Sequence, residues 1–343
     1  MILAQNKRGA RSFVFQNKPV ITAWASVAGK KEAEGPLSRY FDMTVNDSYF
    51  GQETWEQAEQ RMQEIALEKV MEKSNLQKED VDLVFSGDLL NQCIGSSFTL
   101  RNAQMPHFGL YGACSTMAES LILGAMSVDA SFADHVIAMT SSHFASSERQ
   151  YRFPLGYGGQ RTPTAQWTVT GSGSVMLSSF GTGHTIDSCT VGTVTDLGIK
   201  DAANMGAAMA PAAFSTIKAH MEDMKTTVKD YDMIVTGDLG QLGKDLLLAM
   251  ARKEGLQLGG KLLDCGTMIF DLQKQDVHAG GSGCGCSAVT LCGYLLGKLK
   301  PGKKLLFCGT GALLSPTSTQ QGLPIPGICH AVCITGGSYP WTM

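Results

Sequence analysis

Charged residues are scarce in this 343-residue chain: Asp, Glu, Lys and Arg make up 17% of it, against a usual ~25%. A basic excess is missing too. Lys and Arg number 28 against 31 Asp and Glu, a formal net charge of −3, so the positive surface of a polyanion binder is absent and no nucleic-acid partner is expected. No window approaches the ~18 uninterrupted apolar residues of a membrane span. Met1 to Arg11 carries charges but lacks the apolar stretch of a signal peptide, and the chain is expected neither to span a membrane nor to be exported by that route. Ten cysteines are present without a single C-x-x-C pair. The closest spacings, Cys284 with Cys286 and Cys329 with Cys333, have no His or Cys arranged as zinc requires. Reduced, buried, small apolar cysteines are expected, with no metal and no cofactor.

Glycine, by contrast, is abundant at 39 residues, and 43% of the chain is hydrophobic. That combination describes a well-buried globular protein with many tight turns. The chain also repeats itself. Residues 79–89 read EDVDLVFSGDL and residues 229–239 read KDYDMIVTGDL, five of eleven positions being identical at an offset of 150. Each copy has an Asp pair, a short apolar run and a Gly-Asp-Leu exit, the pattern of a buried strand ending in a tight turn. A second echo follows each first one. Gly112-Ala113-Cys114-Ser115 opens an apolar run to Val128 before the strand-like Val136–Thr140, and Gly285-Cys286-Ser287-Ala288 opens one to Leu299 before Leu305–Cys308. Two strand-helix-strand units predict an α/β layered chain with helix-covered sheets, divided into halves 1–180 and 181–343. Thr54 with Gln57 forms a capping-box pattern ahead of Trp55, Ala58, Met62, Ile65, Ala66 and Val70 at helical spacing. Ala210–Met224 is the matching helix of the second half.

Chemistry is expected near the strand ends. Cys114 precedes a helix, where the dipole favours thiolate, yet position alone does not separate a reactive thiol from a small buried one. His143 follows an apolar strand in a polar Thr-Ser-Ser-His turn, at the strand edge where α/β proteins place functional groups. Asp88 and Asp238 stand at equivalent strand ends, either capping their own turns or facing one cavity as cation ligands. Arg149, Arg152 and Arg161, beside Tyr151 and Tyr157, form a cluster suited to a small polyanion. Gly283, Gly285 and Ala288 satisfy G-x-G-x-x-A, but no Asp or Glu follows Asp276 to hold a ribose hydroxyl, which speaks against a dinucleotide. Close backbone approach is the better use of those glycines.

A duplicated α/β chain with Cys at a helix start and a Gly-rich loop at the matching place resembles the thiolase-like condensing enzymes. The segments Gly35-Pro36-Leu37, SGDLLNQ (86–92), YGACST (111–116), TSSH (140–143), ERQYRFPLGYGGQ (148–160), TVTGSGSV (168–175), AMAPAA (208–213), AGGSGCGCSAV (279–289) and TGALLSP (310–316) are similar to those of the stage V sporulation protein AD family. The resemblance covers nearly the whole chain. It implies a duplicated five-layer α-β-α-β-α fold and a role in moving dipicolinic acid, with or without calcium, into the developing spore. It implies a protein without membrane spans at the inner membrane of the forespore and spore, membrane proteins of the same sporulation operon as partners, and a homodimer. Condensing enzymes pair their Cys with His and with Asn or a second His. Cys114 matches the nucleophile, but the other two places read Val235-Thr236-Gly237-Asp238-Leu239 and Gly280-Gly281-Ser282-Gly283. A binder with a degenerate condensing site is therefore expected, its pocket formed by Asp88, Cys114, His143, Arg149, Arg152, Asp238, Ser282, Gly283 and Cys284. A residual acyltransferase acting through Cys114 is the alternative.

Overall fold

The computed structural model describes residues 4–151 and 161–339. The first half contributes strands β1 Val20–Ala28, β2 Leu83–Gly87, β3 His107–Gly109, β4 His135–Ser142 and β5 Gly171–Ser178. Those of the second half are β6 His184–Thr190, β7 Met233–Thr236, β8 Leu262–Asp264, β9 Lys304–Ala312 and β10 Gly327–Thr335. In space the first five run β3-β2-β4-β5-β1 and the second five β8-β7-β9-β10-β6, the same order of third, second, fourth, fifth and first. Strand directions repeat as well. β2 is parallel to β3 and β4, with β5 antiparallel to both β4 and β1; β7 is parallel to β8 and β9, with β10 antiparallel to both β9 and β6. The two sets meet where His184 and Thr185 pair with Ile21 and Val20.

The echo between residues 79–89 and 229–239 has a local cause. One-turn 3-10 helices, Lys78–Asp80 and Val228–Asp230, precede the two strands, and Asp80 and Asp230 close capping boxes on Gln77 and Thr227. The second Asp of each copy ties the strand to its parallel neighbour. The Asp82 carboxylate accepts from the Asp134 and His135 N–H groups, and that of Asp232 from Lys304 N–H.

Helices complete the layers. They are α1 Trp55–Ser74, α2 Ile94–Ala103, α3 Thr116–Asp129, α4 Phe144–Tyr151, α5 Met205–Met224, α6 Gly240–Lys253 and α7 Cys284–Thr290. Both elements of the Thr54–Gln57 capping box form, and Ala58, Met62, Ile65, Ala66 and Val70 are buried while Trp55 is only partly covered. This apolar stripe lays α1 on β1, β5 and β4, and α5 lies on β10 and β9 from the opposite side. Between the sheets, α3 touches β4 and β2 of one half and β9 and β10 of the other, with α7 beside it. The result is five layers, α-β-α-β-α. Leu121, Phe85, Leu177, Phe307 and Val332 join the central core, which is sealed from water on both sides. The Gly171-Ser172-Gly173-Ser174 run is a site of tight packing. A Cβ on Gly171 would stand 2.5 Å from Val289, and one on Gly173 2.6 Å from the Ala288 carbonyl oxygen.

Candidate functional site

Cys114 stands at the end of a short, strained approach. After β3 the chain turns through Ala113, whose φ of 50° lies in the left-handed region, and enters the 3-10 turn Ala113–Ser115 that leads into α3. Two features hold the turn. Ser115 Oγ donates to the Gly112 carbonyl at 2.7 Å, and β9 presses its Gly311 so close that a Cβ there would stand 2.6 Å from the Gly112 oxygen. The Gly-rich loop arrives from the opposite side. Gly281–Ser282 pairs in parallel with Trp167–Thr168, and Gly283 takes φ 99°, with space for a Cβ closed by Ser142 Oγ at 2.7 Å. The glycines thus serve approach between protein segments, as their spacing suggested.

This convergence puts Asp238, at the turn after β7, beside the thiol. The Asp238 carboxylate accepts from Thr310 Oγ1 at 2.8 Å, Gly283 N–H at 2.9 Å and Ser282 Oγ at 3.4 Å, and it is also the hydrogen-bonding neighbour of Cys114. Burial pushes the Asp238 carboxyl up to about 6. Burial first, and then the Asp238 charge, raises the Cys114 thiol well above its ordinary range. The helix start therefore does not make a thiolate here. Desolvation of a side chain only 5% exposed, next to a carboxylate, outweighs a dipole contribution of at most ~2 kcal/mol.

A cavity of about 60 Å³ opens over the thiol. Leu89, Ala113 and Cys114 form one wall, Ser147, Glu148 and Tyr151 of α4 another, and Thr168 with Ser282 a polar edge; Ala202, Met205, Ala312 and Leu314 close the apolar side. Tyr151 Oη donates to the Leu89 carbonyl at 3.0 Å and also meets Tyr111 Oη. Burial raises the Tyr151 phenol, which stays neutral.

Of the expected site residues, Cys114 and Ser282 line this cavity, and Asp238 and Gly283 stand directly behind them. Cys284 is fully buried against Leu89 and Cys114, its Sγ donating to the Ser141 carbonyl at 2.8 Å. Asp88 caps its own turn. Its Oδ1 accepts from Leu90 N–H at 2.9 Å and its Oδ2 from Ser96 N–H and Oγ at 2.8 and 2.7 Å. Asp88 and Asp238 thus bond separate turns, and among the described residues no group of three or more His, Cys, Asp or Glu is placed to hold a metal. His143 is turned away from Cys114: its Nε2 donates to the Ser48 carbonyl at 2.8 Å, and it borders a different cleft. Arg149 and Arg161 do not converge either. Arg149 pairs with Glu56 near the Trp55 ring, Arg161 pairs with Asp276 at 3.1 Å, and Arg152 and Tyr157 lie outside the described residues.

Helical geometry explains the exchange of His143 for Ser147 and Tyr151. Residues 147 and 151, four apart, share one face of α4 and point into the cavity. Ser146 faces Glu59 of α1 at 2.8 Å, and Arg149 faces solvent. That periodicity was available in the sequence. Ala202, Met205, Ala312 and Leu314 carried no local signal, because they reach the cavity only through packing of the second half onto the first.

A family model described as stage V sporulation protein AD (SpoVAD) matches residues 9–335. Stage V sporulation protein AD of Bacillus subtilis strain 168 is 43% identical over 326 residues, covering 94% of this chain and 96% of that protein. Among solved structures, 3-oxoacyl-[acyl-carrier-protein] synthase III of Aquifex aeolicus VF5 superimposes with a TM-score of 0.58 at 14% identity, covering 92% of this chain and 99% of that one. Cerulenin-bound OleA of Xanthomonas campestris gives 0.60 at 14%, with 94% and 97% covered. These likenesses establish the thiolase-like fold.

Proposed function

The chain belongs to the stage V sporulation protein AD family and so has a role in sporulation, and from this premise we propose that it binds dipicolinic acid, as the calcium chelate, for uptake into the developing spore. The observation that carries the reading is the cavity over Cys114. It is a recess of about 60 Å³ with the apolar walls and few polar groups of small-molecule sites. Leu89, Tyr151, Met205 and Leu314 offer a slot for a planar pyridine ring, and the buried Ser147 hydroxyl, without a partner among the described residues, offers a donor to a carboxylate. Charge selects the form of the ligand. Among the described lining residues none is Lys, Arg or His, and the Asp238 carboxylate stands behind the thiol. A free dianion meets like charge there, whereas its complex with one calcium ion is neutral.

The same geometry favours binding over acyl transfer. A condensing nucleophile acts as the thiolate, whereas burial and then the Asp238 charge hold the Cys114 thiol well above its ordinary range. The family also supports peripheral work at the inner spore membrane beside membrane partners. Among the described residues no helix is long and apolar enough to cross a membrane. A second copy has a suitable edge in β3, which among the described strands pairs with β2 alone and carries Phe108 at 56% exposure beside Tyr111 at 45%.

Calorimetric titration of dipicolinate, with and without calcium, into wild type and Ala312→Trp tests the proposal. Saturable heat with calcium, lost when Trp fills the cavity at unchanged melting temperature, supports it. Folded wild type without saturable heat in either buffer refutes it.

A further inference from the structure

The strand Trp167–Thr168 divides two recesses. Thr168 borders the cavity over Cys114, while Trp167, pointing to the other side, borders a separate cleft with the one-turn helix Lys30–Ala33, Ser48, His143 and Phe144. This second cleft has a volume of about 320 Å³. Phe144 stacks on Trp167 at a ring distance of 3.8 Å and 7°, covering one side of the indole. Two cations crowd the same indole. Lys31 Nζ lies 3.9 Å from its centroid and the Arg161 Cζ 4.6 Å.

Two cations gathered on one ring repel each other, and here their own neighbours leave donors unused. Arg161 Nη2 is taken by the Asp276 carbonyl at 2.9 Å, and the guanidinium also pairs with the Asp276 carboxylate, yet Nη1 is buried with no acceptor among the described residues. Lys31 Nζ makes no ion pair within 4 Å among the described residues, and its contact is the indole face. The nearby acids are otherwise placed: the Glu32 carboxylate accepts from Thr170 N–H at 3.1 Å, and Glu34 lies on the exposed rim. His143 adds no charge, because burial lowers its pKa and its Nε2 is bonded to Ser48. A buried guanidinium N–H without an acceptor is costly, and an oxyanion bridging it to an ammonium supplies the missing acceptor to both.

We propose that the cleft between Lys30–Ala33 and the Phe144–Trp167 pair is a second ligand site, distinct from the cavity over Cys114, that takes a small multivalent oxyanion through Lys31 and Arg161. Carboxylate and phosphate groups share this chemistry, whether free in solution or displayed on a lipid headgroup. Trp167 is the built-in reporter, since an anion that draws the two cations from its ring alters its environment.

The test titrates inorganic pyrophosphate, citrate, and phosphatidylcholine vesicles containing phosphatidylglycerol into wild type, Lys31→Gln, Arg161→Gln, Lys31→Arg, Arg161→Lys and Cys114→Ala, read by calorimetry and indole emission. Saturable binding is expected, with an emission change absent in Trp167→Phe. Each Gln variant should weaken it roughly tenfold or more, as for loss of a charge-assisted hydrogen bond. The charge-retaining variants should keep most of the affinity, and Cys114→Ala should leave it unchanged. A response to pyrophosphate or citrate assigns a free anion, and one to vesicles alone assigns a headgroup. Absence of saturable binding to all three probes, or Gln variants within roughly twofold of wild type while the lysine and arginine exchanges also have no effect, overturns the proposal.

Discussion

Replacing Asp238 by Asn isolates the charge that keeps the Cys114 thiol protonated. The amide is close in shape to the carboxylate, so its oxygen can accept from Gly283 N–H while its NH₂ donates to Thr310 Oγ1, preserving both native contacts of 2.9 and 2.8 Å. What is lost is the negative charge. Two unit charges ~4 Å apart interact by about 4 kcal/mol at an effective dielectric of ~20. The hydrogen bonds already spreading the Asp238 charge reduce its hold on the thiol to about half of that, so the thiol pKa should fall by roughly one to two units. At pH 8 the thiolate fraction rises tenfold per unit, while each thiolate becomes less nucleophilic as its pKa falls. The net expectation is alkylation of Cys114 by iodoacetamide roughly 3- to 15-fold faster in Asp238→Asn than in wild type. All ten cysteines are buried, so the rate is read on the Cys114 peptide by mass spectrometry from pH 6.5 to 10, with thermal unfolding to verify the fold. Equal rates in the two proteins would refute the electrostatic argument. So would a wild-type thiol titrating at its ordinary value.

Glu32 is fully buried, and desolvation raises its carboxyl to about 7 from 4.5. Its folded pKa lies above its unfolded one, so this contribution is fully present below pH ~4.5 and is lost as pH rises through ~7. Urea unfolding at pH 5 and pH 8 should show wild type losing roughly 2–3 kcal/mol more than Glu32→Gln over that interval. Thr54→Ala removes the α1 cap and should cost about 1 kcal/mol in the same assay, against no loss if the cap is idle. Gly311→Ala drives a Cβ to 2.6 Å from the Gly112 oxygen, and a loss of roughly 1–3 kcal/mol together with weaker dipicolinate binding is expected, because the displaced turn carries Cys114.

Much of the architecture was legible because it is written twice. The paired EDVDLVFSGDL and KDYDMIVTGDL segments became β2 and β7 at equivalent places in the strand order, since short-range pieces such as the Asp80 and Asp230 capping boxes depend on neighbours a few residues away. Cys114 and Ser282 were legible for the same reason, each sitting at a turn whose glycines are visible in the chain. The surroundings of Arg149 and His143 were not. Arg149 is drawn to Glu56 of α1 and His143 to Ser48, contacts across 93 and 95 residues that local spacing does not encode.

The chain alone determined strand and helix periodicity, the caps, the tight turns and the duplication, because these follow from backbone sterics and from the spacing of apolar side chains. Tertiary structure decided which duplicated strand end faced the thiol, and so set its chemistry. Asp88 and Asp238 occupy equivalent positions, yet Asp88 is satisfied by the start of α2 and Asp238 by the Gly-rich loop and Thr310. The reason is physical: a buried carboxylate takes the donors that packing brings within hydrogen-bond reach, and those donors come from segments distant in sequence.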